Sequence, residues 1–134
     1  MGPITAIPAP VFISHFSAGR AIAERVVTAL ETRGIACWVS YRDSLPAENY
    51  QAAIVRAIRD ASAVVLIFTG NANRSDEILR ELALASQMRR MAVPLRVDNV
   101  EPADAFRFEL ATRQWLISDG SRLGQAAASN GIWH

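Results

Sequence analysis

The sequence predicts an α/β fold of the flavodoxin-like type, with three layers: a five-stranded parallel sheet in the order 2-1-3-4-5 and helices on both faces. Short apolar runs typical of buried strands alternate with segments whose apolar residues recur at helical spacing. The length of 134 residues corresponds to one domain. Ligands of such sheets bind beyond the carboxyl ends of the strands, here between the loops that follow residues 13 and 68.

Five strands are predicted from short apolar runs. The strongest covers residues 63–68, whose β-branched composition is typical of a strand covered on both faces. Pro94 indicates that the fourth strand lies at an edge of the sheet or begins there. The other strands are predicted at residues 11–13, 37–39, 93–97 and 114–117.

Helices are predicted between the strands. The first covers residues 20–33 and is followed by Gly34, a typical helix terminator. Ser75 is expected to cap the third helix, and residues 40–48 form a polar loop before the second. The remaining helices are predicted at residues 50–58, 105–111 and 122–128.

The domain is expected to span residues 11–129. Residues 1–10 are interpreted as an N-terminal extension, in which Gly2 and Pro3 are compatible with a cloning remnant. They lack the basic and apolar regions of a signal peptide, and no apolar run reaches the ~20 residues of a membrane span. We therefore expect a cytoplasmic protein with no membrane partner.

The composition excludes several classes of site. The net charge of +1 does not indicate a nucleic-acid partner. All 14 basic residues are arginines, so a Walker A lysine and Schiff-base chemistry are excluded. A single cysteine, Cys37, and two histidines argue against a metal site. No metal and no cofactor are therefore expected.

Several sequence blocks resemble the Toll/interleukin receptor (TIR) domain of bacterial type, over about residues 11–118. Residues 12–17 (FISHFS) are similar to the family's first-strand box, usually FISYS. Residues 38–46 (WVSYRDSLP) resemble the second strand and the loop after it, called the BB loop in this family. Residues 75–82 (SDEILREL) resemble the third-helix motif, and residues 108–115 (FELATRQW) also resemble bacterial members.

The chain departs from the family pattern at several positions. His15 replaces the usual tyrosine, and Ala47 replaces the glycine after the loop proline. Glu77 and Ile78 replace a Trp-Cys pair that often precedes the helix glutamate. In enzymatic members of the family, an aromatic side chain near that place can stack on the nucleotide.

The resemblance implies chemistry on NAD. Many members cleave the nicotinamide–ribose bond, and they either hydrolyse or cyclise the ADP-ribose. The family's catalytic glutamate corresponds to Glu81. Nicotinamide in NAD is cationic and leaves as a neutral base, so no general acid is needed. A carboxylate near the ribose stabilises the oxocarbenium-like transition state, as one half of a glycosidase pair does. NAD is thus a substrate rather than a cofactor.

Glu77 is a second acidic candidate in the same helix. It precedes Glu81 by four residues and therefore shares its helix face. We hypothesise that the like charge, together with partial burial, raises the pKa of Glu81. The alternative is that Glu77 only complements the helix dipole as a first-turn acid.

Five further residues are predicted to contact substrate. His15, Phe16 and Ser17 begin the loop after the first strand. Alternatively, His15 fills the slot of the family tyrosine, and Ser17 caps the first helix. Arg42 and Asp43 bind phosphate or gate the site, because a guanidinium group suits phosphate geometry. Their alternative role is a local ion pair that fixes the loop.

Two function hypotheses follow from the resemblance. The first is an NAD glycohydrolase or cyclase, activated by self-assembly into an oligomer or filament, in bacterial defence or signalling. The alternative is a non-enzymatic module that docks other TIR domains through the BB loop. The loop residues expected to mediate such contacts are Tyr41, Arg42, Asp43, Ser44, Leu45 and Pro46.

Overall fold

The apolar runs of the sequence pair into a parallel sheet. The computed structural model describes residues 9–111 and 115–117. Every strand pairing is parallel, and the order is β2-β1-β3-β4-β5. The predicted parallel α/β architecture is therefore confirmed. The strands are β1 (Val11–Ser14), β2 (Cys37–Trp38), β3 (Ala63–Phe68), β4 (Met91–Arg96) and β5 (Leu116–Ile117).

The fifth strand is shorter than the predicted residues 114–117. β5 contains only two residues, which pair with Leu95 and Arg96. Four strands, β2-β1-β3-β4, thus form nearly all of the sheet. Pro94 was interpreted as a sign of an edge or a strand start, but it lies inside β4 and pairs with Leu66. β5 pairs only with the next two residues of β4, Leu95 and Arg96. At Pro94 itself, β3 is the only strand beside β4 among the described residues.

The helices agree with the predicted segments except after β2. The predicted polar loop at residues 40–48 begins with one helical turn, which Asp43 stabilises by accepting a hydrogen bond from the Val39 amide at 2.9 Å. The predicted helix at residues 122–128 and the domain limit at residue 129 lie outside the described residues. The helices are α1 (Arg20–Thr32), α2 (Ser40–Asp43), α3 (Tyr50–Asp60), α4 (Asp76–Gln87) and α5 (Asp104–Leu110).

Two predicted signals of helix ends are confirmed, Gly34 after α1 and Ser75 before α4. Gly34 follows α1 with φ of +81°, a conformation that glycine adopts without steric cost. The Ile35 amide then donates back to the carbonyl oxygen of Leu30 at 3.0 Å, as in a Schellman motif. Ser75 caps α4, because its Oγ accepts from the Ile78 amide at 3.2 Å.

The sheet separates two apolar cores. Alternate residues of β1 and β3 point to opposite faces, as the pleat of a strand requires. Val11 and Ile13 pack with α1 on one face. Phe12 packs with α3, α4 and α5 on the other, where the rings of Phe68 and Phe106 lie 5.7 Å apart. This arrangement places α4 next to α3 and over the carboxyl end of β1.

Candidate functional site

A buried carboxyl group lies between α4 and the sheet. Glu81 is only 7% exposed, although α4 begins with exposed acidic residues. Its neighbours Ile78 and Leu82 pack into the core and fix the helix face. Ser14, the last residue of β1, donates a hydrogen bond from its Oγ to Oε1 of Glu81 at 3.1 Å. The carboxyl group is thus held by two elements that are far apart in the sequence.

Burial controls the protonation of Glu81. Loss of water around the carboxyl group raises its pKa to about 8, since burial disfavours the charged form. The hydrogen bond from Ser14 lowers the pKa, and the charge of Glu77 raises it further. The direction agrees with the sequence hypothesis, but burial rather than Glu77 is the main cause. Glu81 is therefore mostly protonated at neutral pH and ionises above it.

Glu81 lines a cleft between α3 and α4. The cleft has a volume of about 470 Å³, within the range of small-molecule sites. Its surface is mainly apolar, and Glu77 and Glu81 lie on the same wall. The lining residues are Tyr50, Gln51, Ile54, Val55, Glu77, Arg80, Glu81 and Leu84. A cleft whose surface is mainly apolar, with carboxyl groups on one wall, can bind a nucleotide base and present a carboxylate to the attached sugar.

A second, more polar pocket adjoins this cleft. It has a volume of about 240 Å³ and shares Tyr50 and Glu77 with the cleft. The predicted residues His15, Phe16 and Ser17 line it, together with the start of α4. It lies beside the loop after β1, as expected, but α2 and α4 form its other walls instead of residues 69–73. Four of the predicted substrate contacts, Glu77 included, therefore share one pocket beside Glu81.

His15 is held in its neutral form. Its Nδ1 lies 3.0 Å from the carbonyl oxygen of Phe16, so Nδ1 carries the proton that is donated to this acceptor. Burial lowers the pKa of His15. The ring meets Tyr41 edge-on at 5.7 Å, and Nε2 is buried without a partner in the part of the chain that the structure describes. His15 thus packs against Tyr41 and lines the second pocket.

Ser17 does not cap the first helix. The N-cap of α1 is Gly19, and Ser17 begins a short 3₁₀ turn before it. Its side chain is exposed at the second pocket. The alternative role as a cap is therefore excluded by the local geometry.

Arg42 and Asp43 do not reach either pocket. Arg42 donates to both carboxylate oxygens of Glu31, at 2.9 and 3.0 Å, and to the carbonyl oxygen of Cys37 at 2.8 Å. It also bonds Asp43, whose carboxylate accepts from the Val39 amide. The predicted role in substrate binding is thus not supported, and the arrangement matches the alternative of a local ion pair that fixes the loop.

The BB loop has fixed ends and an exposed tip. Ser44 donates from its Oγ to the Ser40 carbonyl oxygen at 2.6 Å, which closes the turn after α2. Glu48 accepts from the Leu45 amide and pairs with Arg56 at 2.6 Å. The Leu45 side chain remains 67% exposed between these anchors. Hydrogen bonds thus hold both ends of this loop, and Leu45 is an exposed apolar side chain between them.

Sequence reasoning missed two residues of the site. The sequence predicts Tyr50 only as the first residue of the second helix, but it is 46% exposed and borders both pockets. Burial raises the pKa of its phenol, and the charges of Glu77 and Glu81 raise it further. Ser14 was treated as part of a sequence motif only. Its position at the carboxyl end of a central strand was the available signal.

The described part of the chain contains neither a group of metal-ligating side chains nor a helix that could span a membrane. Within residues 9–111 and 115–117, no three His, Cys, Asp or Glu side chains are grouped as a metal ion requires. No helix in the described part of the chain is both long and apolar enough to cross a membrane.

Cys37 is buried, and burial raises the pKa of its thiol to about 12, so it does not act as a nucleophile.

Comparison with protein families identifies the fold. The family model described as TIR domain matches residues 11–127, most of the chain. The chain belongs to the TIR domain family. No curated protein sequence matches it at a significant level.

Solved structures agree with this family. The TIR domain of the Toll-related receptor TRR-2 from Hydra magnipapillata has a TM-score of 0.77 at 17% identity, with 92% of this chain and 98% of that chain covered. The CMP N-glycosidase BcmB of Clostridium botulinum has a TM-score of 0.62 at 16% identity, with 89% and 96% covered. The RPS4 and RRS1 TIR domain heterodimer has a TM-score of 0.63 at 19% identity, with 88% and 92% covered. These TM-scores show a shared fold, and the organisms named do not distinguish a bacterial type.

The burial of Glu81 predicts how stability depends on pH. The pKa of Glu81 is about 8 in the folded chain, against an ordinary value of 4.5. The folded state therefore binds the proton more tightly, and this contribution to stability is complete below about pH 4.5 and is lost as pH rises to about 8. The loss approaches about 1.4 kcal/mol per pH unit in this range. We expect Glu81→Gln to abolish this pH dependence in urea unfolding between pH 5 and 8.

Glu77→Gln is the matched control, because Glu77 is exposed on the same helix. It should retain the slope of the parent protein. Equal slopes for the parent and Glu81→Gln would contradict the proposed burial effect.

Proposed function

We propose that this TIR domain cleaves the nicotinamide–ribose bond of NAD, with Glu81 as the catalytic residue. The observation that carries the proposal is a buried glutamate on the wall of an apolar cleft that can take a nucleotide base. Its position in α4 corresponds to the glutamate of the family motif. The setting in bacterial defence or signalling, which the resemblance implies, is part of the same proposal.

The reaction needs one carboxylate and no metal. The C1′–N bond breaks, and its electron pair neutralises the departing nicotinamide. Positive charge develops on the ribose, and the ionised Glu81 stabilises it from a largely buried position, where such an interaction is strong. Water then attacks C1′ and loses a proton, which gives ADP-ribose, or a nitrogen of the adenine attacks, which gives a cyclic product.

The substrate itself favours the active form of Glu81. In the empty cleft, burial keeps most of the carboxyl group protonated at neutral pH. The cationic nicotinamide ring lowers the pKa of a carboxyl group beside it, because an opposite charge stabilises the ionised form. Entry of NAD therefore promotes ionisation of Glu81, with release of a proton to solvent.

Tyr50 and the second pocket support binding of a dinucleotide. Tyr50 offers an exposed ring next to Glu77. Glu77 occupies the sequence position at which enzymatic members of the family often carry an aromatic residue. The Tyr50 ring can stack on a base in the cleft. The second pocket supplies His15, Ser17 and Arg20 to the other part of the substrate. BcmB, which shares this fold, is a CMP N-glycosidase, and its activity is likewise cleavage of an N-glycosidic bond.

Self-assembly is the proposed means of activation. The TIR domains of RPS4 and RRS1 form a heterodimer, and we propose contacts of the same general kind for this chain. Leu45 would enter such a contact from the tip of the BB loop, which the Arg42 network holds in place. The exposure of Leu45 also favours the second candidate function, a non-enzymatic module that binds other TIR domains.

The first test is release of nicotinamide from NAD at high protein concentration. We expect Glu81→Gln to reduce the rate at least about 100-fold, because the neutral amide cannot balance the charge that develops on the ribose. The kcat/KM of the parent protein should rise with pH from 6 to 9, because this ratio follows the ionisation of Glu81 in the free protein. The mass of the product separates hydrolysis from cyclisation.

Asp76→Asn is the matched control and should keep most of the activity, since Asp76 is exposed in the first turn of α4 and lines neither the cleft nor the second pocket. CMP serves as the alternative substrate. Release of cytosine from CMP without release of nicotinamide from NAD would show that the substrate is a nucleoside monophosphate and not NAD. If neither base is released under crowding that drives assembly, the proposed enzymatic activity is contradicted. The second candidate function, a module that binds other TIR domains, then remains.

Tyr50 variants test the stacking contact. We expect Tyr50→Ala to raise KM for NAD about tenfold, because loss of a base–aromatic contact costs about 1–3 kcal/mol. Tyr50→Phe should stay within about twofold of the parent, since it keeps the ring. Steady-state kinetics at several NAD concentrations provide the measurement. A Tyr50→Ala protein with unchanged KM would show that the base does not contact this ring.

A further inference from the structure

The carboxyl group of Glu81 meets a neutral donor inside the protein. Ser14 is 2% exposed and Glu81 is 7% exposed, and their oxygens Oγ and Oε1 are 3.1 Å apart. The two residues are separated by 67 positions in the sequence. The contact therefore depends on the packing of α4 against the sheet and not on local chain geometry.

Both partners are rigidly placed. Ser14 ends β1, which lies between β2 and β3, and it pairs with Leu66 of β3. It lies two residues after Phe12 and so faces the side of the sheet that α3 and α4 cover. Glu81 lies between core residues of α4. Such a pair is held in place before any ligand arrives, so little reorganisation is needed during a reaction.

We propose that Ser14 is a positioning residue for Glu81, which anchors Oε1 and leaves the second carboxylate oxygen for the substrate. The inference rests on the proposed function and assigns a role to a residue next to the catalytic one. Ser14 itself does not touch the reacting atoms. Its hydroxyl donates to the ionised carboxylate and thereby compensates part of the cost of charge in a buried site.

Among the residues that the structure describes, the other titratable and charged groups around Glu81 do not supply this compensation. Glu77, one turn earlier in α4, repels the ionised form. Tyr50 of α3 interacts with the charges of both glutamates, which disfavours its own ionisation. Arg80 lines the same cleft, but it is exposed to solvent, which screens its charge. Ser14 is thus the buried donor that stabilises the carboxylate.

The test compares the parent protein with Ser14→Ala and Ser14→Thr. Carbon-13 NMR of the side-chain carboxyl groups follows the titration of Glu81, whose signal is assigned by its loss in Glu81→Gln. We expect the midpoint to move to higher pH in Ser14→Ala, because the donor is gone, and to return in Ser14→Thr, which keeps the hydroxyl. In parallel, kcat for nicotinamide release should fall about tenfold at pH 7 in Ser14→Ala, with KM within about twofold.

The two readouts separate this inference from the proposed function. A purely structural role of Ser14 would change stability in urea but leave the NMR midpoint and the pH–rate profile unchanged, and that result would overturn the inference. A shifted midpoint in a protein that releases no nicotinamide would support the hold of Ser14 on Glu81 and overturn the proposed function. Ser14→Cys, a smaller change than threonine, replaces Ser14→Thr if the added methyl group prevents folding, and it should give an intermediate midpoint.

Discussion

The burial of one carboxyl group underlies this account. A glutamate in the middle of α4 would ordinarily face solvent, but here α4 lies against the sheet so that Glu81 meets Ser14. Burial disfavours the charge, and the serine hydroxyl compensates part of that cost. The group is therefore close to its point of ionisation near neutral pH. A carboxyl group in that condition responds strongly to a cationic ligand.

The topology of the sheet produces this contact. The order β2-β1-β3 places the carboxyl end of β1 at the centre, below the helix that follows β3. The polar pocket and the apolar cleft then lie side by side, with Tyr50 and Glu77 between them. Arg42 acts outside this region. Its bonds to Glu31 and Asp43 fix the start of the BB loop, and Leu45 is exposed farther along the same loop.

The sequence predicts the elements well because their signals are local. The β-branched run of β3, the apolar stripe of α1 and the cap at Ser75 depend on neighbours in the chain. The turn α2 was missed because a side chain four residues ahead, that of Asp43, satisfies the Val39 amide. The two-residue β5 was overestimated, since an apolar run does not reveal how many residues a neighbouring strand pairs with.

The site was only partly predictable for the same reason. Glu81 and Glu77 follow from a motif on one helix, and the loop after β1 follows from the topology. The partner of Arg42 lies eleven residues away in α1, and that of Glu81 lies 67 residues away in β1. Spacing along the chain carries no information about such contacts. The exposure of Tyr50 likewise depends on how α3 and α4 diverge, which periodicity does not describe.

The most direct measurement is a crystal structure of the Glu81→Gln protein with bound NAD, which this variant should leave intact. We expect the nicotinamide ribose in the cleft between α3 and α4, with the amide of residue 81 within hydrogen-bond distance of a ribose hydroxyl group. The base should lie against Tyr50. NAD bound elsewhere on the domain, or a cleft that stays empty at saturating NAD, would contradict the assignment of this cleft as the catalytic site.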